Sequence, residues 1–165
     1  MWKEVNIKEI NENAVKLISD EWMLITAGDE SGYNMMTASW GFLGEMWSKD
    51  SVVIAVRPQR YTMDFIDKND YFTLSFYGDR RDIHAVCGRQ SGRDVDKTAL
   101  TGLTPVFSDN TVYFDEARLV LVCKKRYQNR LSPDAFTLGE CGELYPEDDR
   151  HYMIIGEIVK TYQKV

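Results

Sequence analysis

Asn34-Met35-Met36-Thr37-Ala38-Ser39-Trp40-Gly41 alternates along its length, and a little further on Ser51 to Val56 runs directly into Arg57-Pro58-Gln59-Arg60-Tyr61-Thr62. As a strand, the first segment puts Met35, Thr37 and Ser39 on one face and Met36, Ala38 and Trp40 on the other, so one face offers hydroxyls while the other fills a core. Ser51 to Val56 is a continuous apolar run with β-branched residues, which predicts a strand buried on both faces. Two cations therefore sit at the mouth of a core strand. Thr62 is the expected N-cap of a short helical segment carrying Met63, Phe65 and Ile66 and ending near Asn69, which sets the arginines beside a helix N-terminus with free N–H groups. An Arg-x-x-Arg pair alone describes two solvated surface residues in loose ion pairs. Joined to the hydroxyl-bearing strand and the helix start, it predicts an anion site of the kind that holds a phosphate-bearing cofactor.

Outward from this stretch the chain punctuates itself clearly. Ile10, Ala14, Leu17 and Ile18 recur at helical spacing, with Asn11 or Asn13 as the cap. Trp22 to Ala27 is a predicted strand, and Gly28-Asp29-Glu30-Ser31-Gly32 the turn that pairs it as a hairpin with the Asn34 strand. Tyr71 to Tyr77 alternates with Phe72, Leu74 and Phe76 on one face and Thr73 and Ser75 on the other, which predicts a half-buried strand. Asp79 is the expected cap of a short helix through Cys87, closed by Gly88. The polar loop Arg89-Gln90-Ser91-Gly92-Arg93 then precedes a second short helix ending at Gly102. Further strands are expected at Thr111 to Phe114, Ala117 to Lys125 and His151 to Lys160. Seven or so strands with only short helices between them oppose alternating βαβ units and predict a mostly β, antiparallel barrel with short peripheral helices, in a single domain.

The bulk numbers set bounds on function. A chain of 165 residues buries roughly 70% of its unfolded surface without metals or disulfides. No apolar run approaches the length of a membrane span, so membrane insertion is not expected. The N-terminal Met1-Trp2-Lys3-Glu4 has no apolar signal region, and the three cysteines, Cys87, Cys123 and Cys141, are odd in number and widely spaced, as in a reducing cytoplasmic setting. A net charge of −6 opposes nucleic-acid binding, which needs a basic face.

Several chemistries leave no trace in this sequence. It has no GxGxxG, no Walker loop, no GxSxG elbow and no Cys-x-x-Cys, and its only histidines are His84 and His151. An anion site without an evident acid, base or nucleophile suits an enzyme whose cofactor does the chemistry while the protein binds and orients it. Flavin mononucleotide (FMN) fits that description. Its phosphate would sit on the arginine and hydroxyl cluster, Trp40 and Tyr61 are candidate ring walls, and Lys97 a candidate charge beside the reduced flavin, although most aromatic residues in any chain are simply core.

Three motifs in series carry a resemblance. Asn34 to Trp40, then Val56-Arg57-Pro58-Gln59-Arg60-Tyr61-Thr62, then Cys87-Gly88 with Ser91-Gly92-Arg93-Asp94-Val95-Asp96-Lys97 and Thr101-Gly102-Leu103-Thr104-Pro105, resemble the flavin reductase-like family and within it the flavoredoxin-like branch. The resemblance implies an FMN-binding split β-barrel and a homodimer with the flavin near the subunit interface. It implies that Asn34, Thr37, Ala38, Ser39 and Trp40 line the flavin ring and ribityl chain, that Arg57, Arg60, Tyr61 and Thr62 hold the phosphate end, that Ser91 and Lys97 are further flavin contacts, and that His151 lies on the nicotinamide side. The sequence departs from the pattern where Thr98 replaces an aromatic residue after the Ser-Gly-x-x-x-Asp-Lys motif. The chain also ends soon after its last expected strand, so contacts from a C-terminal extension are expected to be absent.

The expected activity is then an NAD(P)H:flavin oxidoreductase. NADH or NADPH would stack on the FMN ring with its C4 roughly 3–3.5 Å from flavin N5 and pass a hydride that leaves as electrons to a small-molecule or protein acceptor. The alternatives are a flavoredoxin-like electron carrier without its own pyridine nucleotide site, and a binding module for another phosphorylated ligand.

Overall fold

The computed structural model describes residues 1–165. It contains ten strands: β1 (Trp2–Val5), β2 (Met23–Asp29), β3 (Gly32–Ala38), β4 (Gly41–Met46), β5 (Lys49–Val56), β6 (Tyr71–Phe76), β7 (Pro105–Ser108), β8 (Thr111–Phe114), β9 (Leu119–Arg130) and β10 (Tyr152–Lys164). Five short helices join them: α1 (Ala14–Lys16), which continues into a π-helical turn at Leu17–Glu21, α2 (Tyr61–Lys68), α3 (Arg81–Arg89), α4 (Lys97–Thr101) and α5 (Cys141–Leu144). All strand pairs are antiparallel. The main sheet runs β3-β2-β6-β9-β10-β5-β4 with β1 on the far end of β10, and β7-β8 form a separate hairpin.

Period-2 alternation on β2, β6 and β9 sorts side chains into two cores. Met23, Ile25, Ala27, Phe72, Leu74, Leu119 and Leu121 join Val52, Ile54, Val56 and Ile154 in one cluster. Leu24, Val120 and Val122 turn the other way, against Ile83 and Cys87 of α3 and Tyr113 and Phe114 of β8. The central strands are thus covered on both faces, and this overturns the expectation that Tyr71 to Tyr77 is half-buried. Thr73 and Ser75 are fully buried, because the β7-β8 hairpin lies over them and Val112 O accepts the Thr73 hydroxyl at 2.8 Å.

The predicted hairpin forms, with Met23 opposite Ala38 and Gly28 opposite Tyr33. Its second strand stops at Ala38, earlier than the alternation suggests, so Ser39 and Trp40 lie outside it and Trp40 stands 58% exposed instead of filling the core. Met35 and Met36 do occupy opposite faces, but both are buried, one in each cluster. β5 is fully buried on one face only, with Val53 and Ala55 half-buried on the other. Strands β1, β4 and β7 were not expected from the sequence. β4 is short and mostly exposed, and β1 is held by pairing with the distant β10.

The helix starts also differ in detail. Asn13 does cap α1, its side chain accepting from Val15 N and Lys16 N. Thr62, in contrast, does not cap α2: Arg60 occupies the N-cap position, and Thr62 sits buried in the first turn. Arg80, with no capping side chain, precedes α3 in place of the expected Asp79, and α3 runs through Gly88 to Arg89. Asp96 caps α4 by accepting from Ala99 N, and Gly102 ends that helix in the left-handed conformation that glycine tolerates.

Candidate functional site

The site is built where the C-terminal end of β3, the turn after β5 and the start of α2 meet α3 and the loop that follows it. Two clefts open there, and they share Arg60. The first is lined by Met36, Thr37, Ala38, Ser39, Trp40, Ala55, Arg57, Arg60 and His151. Asn34, Tyr61, Thr62, Ser91 and Lys97 join Arg60 in lining the second, together with Gln59 and the Gly88 to Gly92 segment. Every residue singled out from the sequence faces one of these two clefts.

In the second cleft the donors are arranged for an anion. Arg60 is half-buried, and its guanidinium donates only to carbonyl oxygens, Gly88 O at 3.2 Å and Cys87 O at 3.3 Å. Lys97 is buried, with Nζ donating to Met35 O at 2.8 Å and Cys87 O at 3.1 Å. Neither cation meets a carboxylate. Burial pushes both below their ordinary values, Lys97 to about 8 with the neighbouring Arg60 charge adding to the effect. Two interior cations without a counter-charge are costly unless an anion completes them. Asn34 Nδ2 donates to Thr62 Oγ1 at 2.8 Å, which holds the floor of the cleft. The loop packs so closely that a Cβ on Gly92 would stand 2.0 Å from Asn34 Oδ1. A side chain there would displace the Asn34 amide from its place against Thr62. Tyr61 is clamped by Phe65 edge-on at 5.0 Å and by the Arg93 guanidinium 4.5 Å over its ring.

The first cleft is more apolar. Trp40 lies tilted against the His151 ring, 5.1 Å between centroids. His151 is buried and shares a 2.8 Å hydrogen bond with Tyr145 Oη. Burial, reinforced by the Arg57 charge, lowers its pKa to about 4, so the ring is neutral at pH 7. Arg57 differs from Arg60. It is ion-paired with Asp149, which also accepts from Gln59 at 2.8 Å. The twin arginines are therefore split, one neutralised beside Trp40 and His151, the other left uncompensated in the anion cleft. Lys97 lies with Tyr61 and Thr62 rather than beside Trp40.

Sequence reasoning passed over Gln59, Gln90, Tyr145, Asp149 and His84. Gln59 stands between the two arginines and could have been included on that ground. Tyr145 and Asp149 come from the 131–150 segment, which carries no periodicity to place it. His84 enters the sequence reading only as one of two histidines, yet its Nδ1 lies 2.9 Å from Thr37 Oγ1.

The family profile described as the flavin reductase like domain matches residues 16–164, nearly the whole chain. The chain belongs to the flavin reductase-like family. No curated protein matches the sequence. Among solved structures the fold is similar to the FMN-binding domain of a flavin reductases-like enzyme from Shewanella baltica, at 16% identity and TM-score 0.71 over 99% of this chain and 77% of that one. It is also similar to flavoredoxin from Methanosarcina acetivorans, at 21% identity and TM-score 0.70 over 97% and 76%. A third likeness is to the NADH:FAD oxidoreductase SgcE6 from Streptomyces globisporus, at 14% identity and TM-score 0.66 over 87% and 75%. At these identities the likeness establishes the fold, a mostly antiparallel split β-barrel with short peripheral helices. No helix of this family member is long and apolar enough to cross a membrane.

Proposed function

We propose that this flavin reductase-like protein binds FMN across the two clefts and uses it as an NAD(P)H:flavin oxidoreductase. The observation that carries the reading is the pair of interior cations, Arg60 and Lys97, which have donors to spare and no carboxylate beside them. A phosphate is the anion that such a guanidinium fork and ammonium group recognise, and the N–H groups at the start of α2 add to the same field. Thr37, Ala38, Ser39 and Trp40 would then face the ring and ribityl portion in the more apolar cleft, with His151 neutral beside them. FMN held there would supply the redox chemistry, that of a hydride acceptor for NADH or NADPH. The protein's part is to anchor the phosphate, present the ring at an opening edged by Trp40, and set the charge around it.

A homodimer that closes over the flavin side belongs to the same proposal. β4 is a sheet edge that exposes Phe42 and Met46, with Trp47 exposed in the turn after it and Trp40, which lines the first cleft, exposed just before it. Edges and apolar patches of this kind are surfaces that native proteins cover. A second copy is the proposed cover, and sedimentation of F42E, which puts a charge in that patch, should give a monomer where the native chain gives a dimer. The free cysteines, two of them buried, support a reducing cytoplasmic setting.

The test of activity is anaerobic. Addition of NADH or NADPH to the FMN-loaded protein should abolish the flavin absorption band near ~450 nm, a property the cofactor brings with it. Flavin that is bound yet stays oxidised with both nucleotides, while a protein donor reduces it, would make the chain an electron carrier.

A further inference from the structure

His84 lines neither cleft, yet it is tied to a residue that does. It sits on α3, buried to 3% exposure, with Nδ1 2.9 Å from Thr37 Oγ1. One turn later on the same face, α3 presents Gly88, where an added Cβ would already touch Thr37 Cβ at 3.4 Å. Two successive turns of α3 thus lie against Thr37, the first through the His84 ring and the second at the bare backbone of Gly88.

A hydroxyl has one proton, so the imidazole decides where that proton goes. His84 Nε2 is buried without a hydrogen-bond partner, enclosed by Trp22 and Tyr77, whose rings meet the imidazole edgewise at 5.7 and 6.4 Å. With the proton on Nε2, a buried N–H would be left with no acceptor, the rarer and costlier kind of orphan. With the proton on Nδ1, only a lone pair is left unused and Nδ1–H donates to Thr37 Oγ1. The sole alternative acceptor for the Thr37 proton inside the protein is His84 O at 3.5 Å, long for an O–H···O bond. The ring carries no charge at pH 7, because burial and then the Arg81 guanidinium lower its pKa to about 4 against the weaker opposing pull of Glu21 and Asp82.

We propose that His84 is a positioning residue that, as its Nδ1–H tautomer, donates to Thr37 Oγ1 and so leaves the Thr37 hydroxyl as a fixed hydrogen-bond donor to an acceptor atom of the flavin. This rests on the flavin reading above, extends it to a residue outside the clefts, and assigns Thr37 a polarity.

The first arm of the test needs no flavin. Long-range proton–nitrogen correlation spectra of the 15N-labelled native protein at pH 7 should show His84 neutral with its proton on Nδ1. A proton on Nε2, or a charged ring, would overturn the proposal. The second arm compares H84F, T37V and the double variant by FMN titration. H84F and T37V should each weaken binding about fivefold, as for loss of one ordinary hydrogen bond, and shift the bound-flavin absorption band in the same direction. The double variant should be no weaker than T37V alone, because His84 acts through Thr37. Losses that add, or an unshifted band in both single variants, would refute the coupling. A native protein that ignores FMN would overturn the flavin reading and the ligand named here. The tautomer measurement separates that failure from a failure of the His84–Thr37 pairing.

Discussion

Arg60 and Lys97 line the same cleft and donate only to carbonyl oxygens, and on the proposed reading a phosphate balances their charge. Arg60→Ala removes charge-assisted bonds to a phosphate but leaves the ring contacts. It should weaken FMN binding about tenfold to hundredfold and riboflavin binding less than about threefold in fluorescence titrations. Equal losses would move the phosphate elsewhere. Lys97 gives the site a pH dependence. With its pKa lowered to about 8 in the free protein, it is charged below that pH and neutral above it, and binding an anion must restore the proton. FMN affinity should therefore hold steady from pH 7 to 8 and then fall, by up to about tenfold per unit as one proton is taken up. In K97R, whose guanidinium stays charged, that decline should vanish, and a decline that persists would place the titrating group outside Lys97.

At the scale of elements, closeness of backbone contact decides which positions accept change. Between Ile155 and Gly156, β10 shifts register against β9, and a Cβ at Gly156 would meet Phe72 Cζ of β6 at 2.6 Å in the buried core. Gly156→Ala should destabilise by about 1–3 kcal/mol, whereas Gly44→Ala on the open edge strand, with nothing in reach of its Cβ, should change little. Urea denaturation of the two variants checks the contrast, and similar midpoints would contradict it. The same closeness explains what the sequence showed and hid. β2, β3, β5, β6 and β8 were legible because each alternates or runs apolar against its own core. The burial of Thr73 and Ser75 was not, because it depends on a hairpin some forty positions away in the chain closing over them, as the Thr73 to Val112 bond shows. β1 and β4 were silent for the opposite reason: they are edges whose existence rests on a partner strand and not on their own composition. That the named residues come together at two adjoining clefts was foreshadowed locally, since strand ends and the α2 start are local features. The pairing of Arg57 with Asp149, which neutralises one of the twin arginines and leaves the other without a carboxylate, joins segments that no local pattern connects.

For the molecule as a whole, the two buried histidines make stability depend on pH between about 6.5 and 4. His84 and His151 both have folded-state pKa values lowered to about 4 from an ordinary value near 6.5. Between those limits the unfolded chain takes up protons that the folded state refuses, so the stability is fully present above about pH 6.5 and is lost as pH falls toward 4. The melting temperature should fall across that window, and the fall should be smaller in H84F and in H151F than in the native protein, whatever their melting temperatures at pH 7. An unchanged slope in both variants would show that other groups govern the acid transition. Beyond stability, the fold works as a frame: the sheet brings β3, the turn after β5 and α3 together, where the two clefts, proposed to take the phosphate and the ring of FMN, meet at Arg60. That junction is the account's central claim, and titration of the purified protein with FMN and with riboflavin, followed by visible absorption and flavin fluorescence, tests it most directly. The account predicts saturable FMN binding at one flavin per chain, with riboflavin at least about tenfold weaker for want of the phosphate. No perturbation of the flavin, or equal affinity for both, would contradict it.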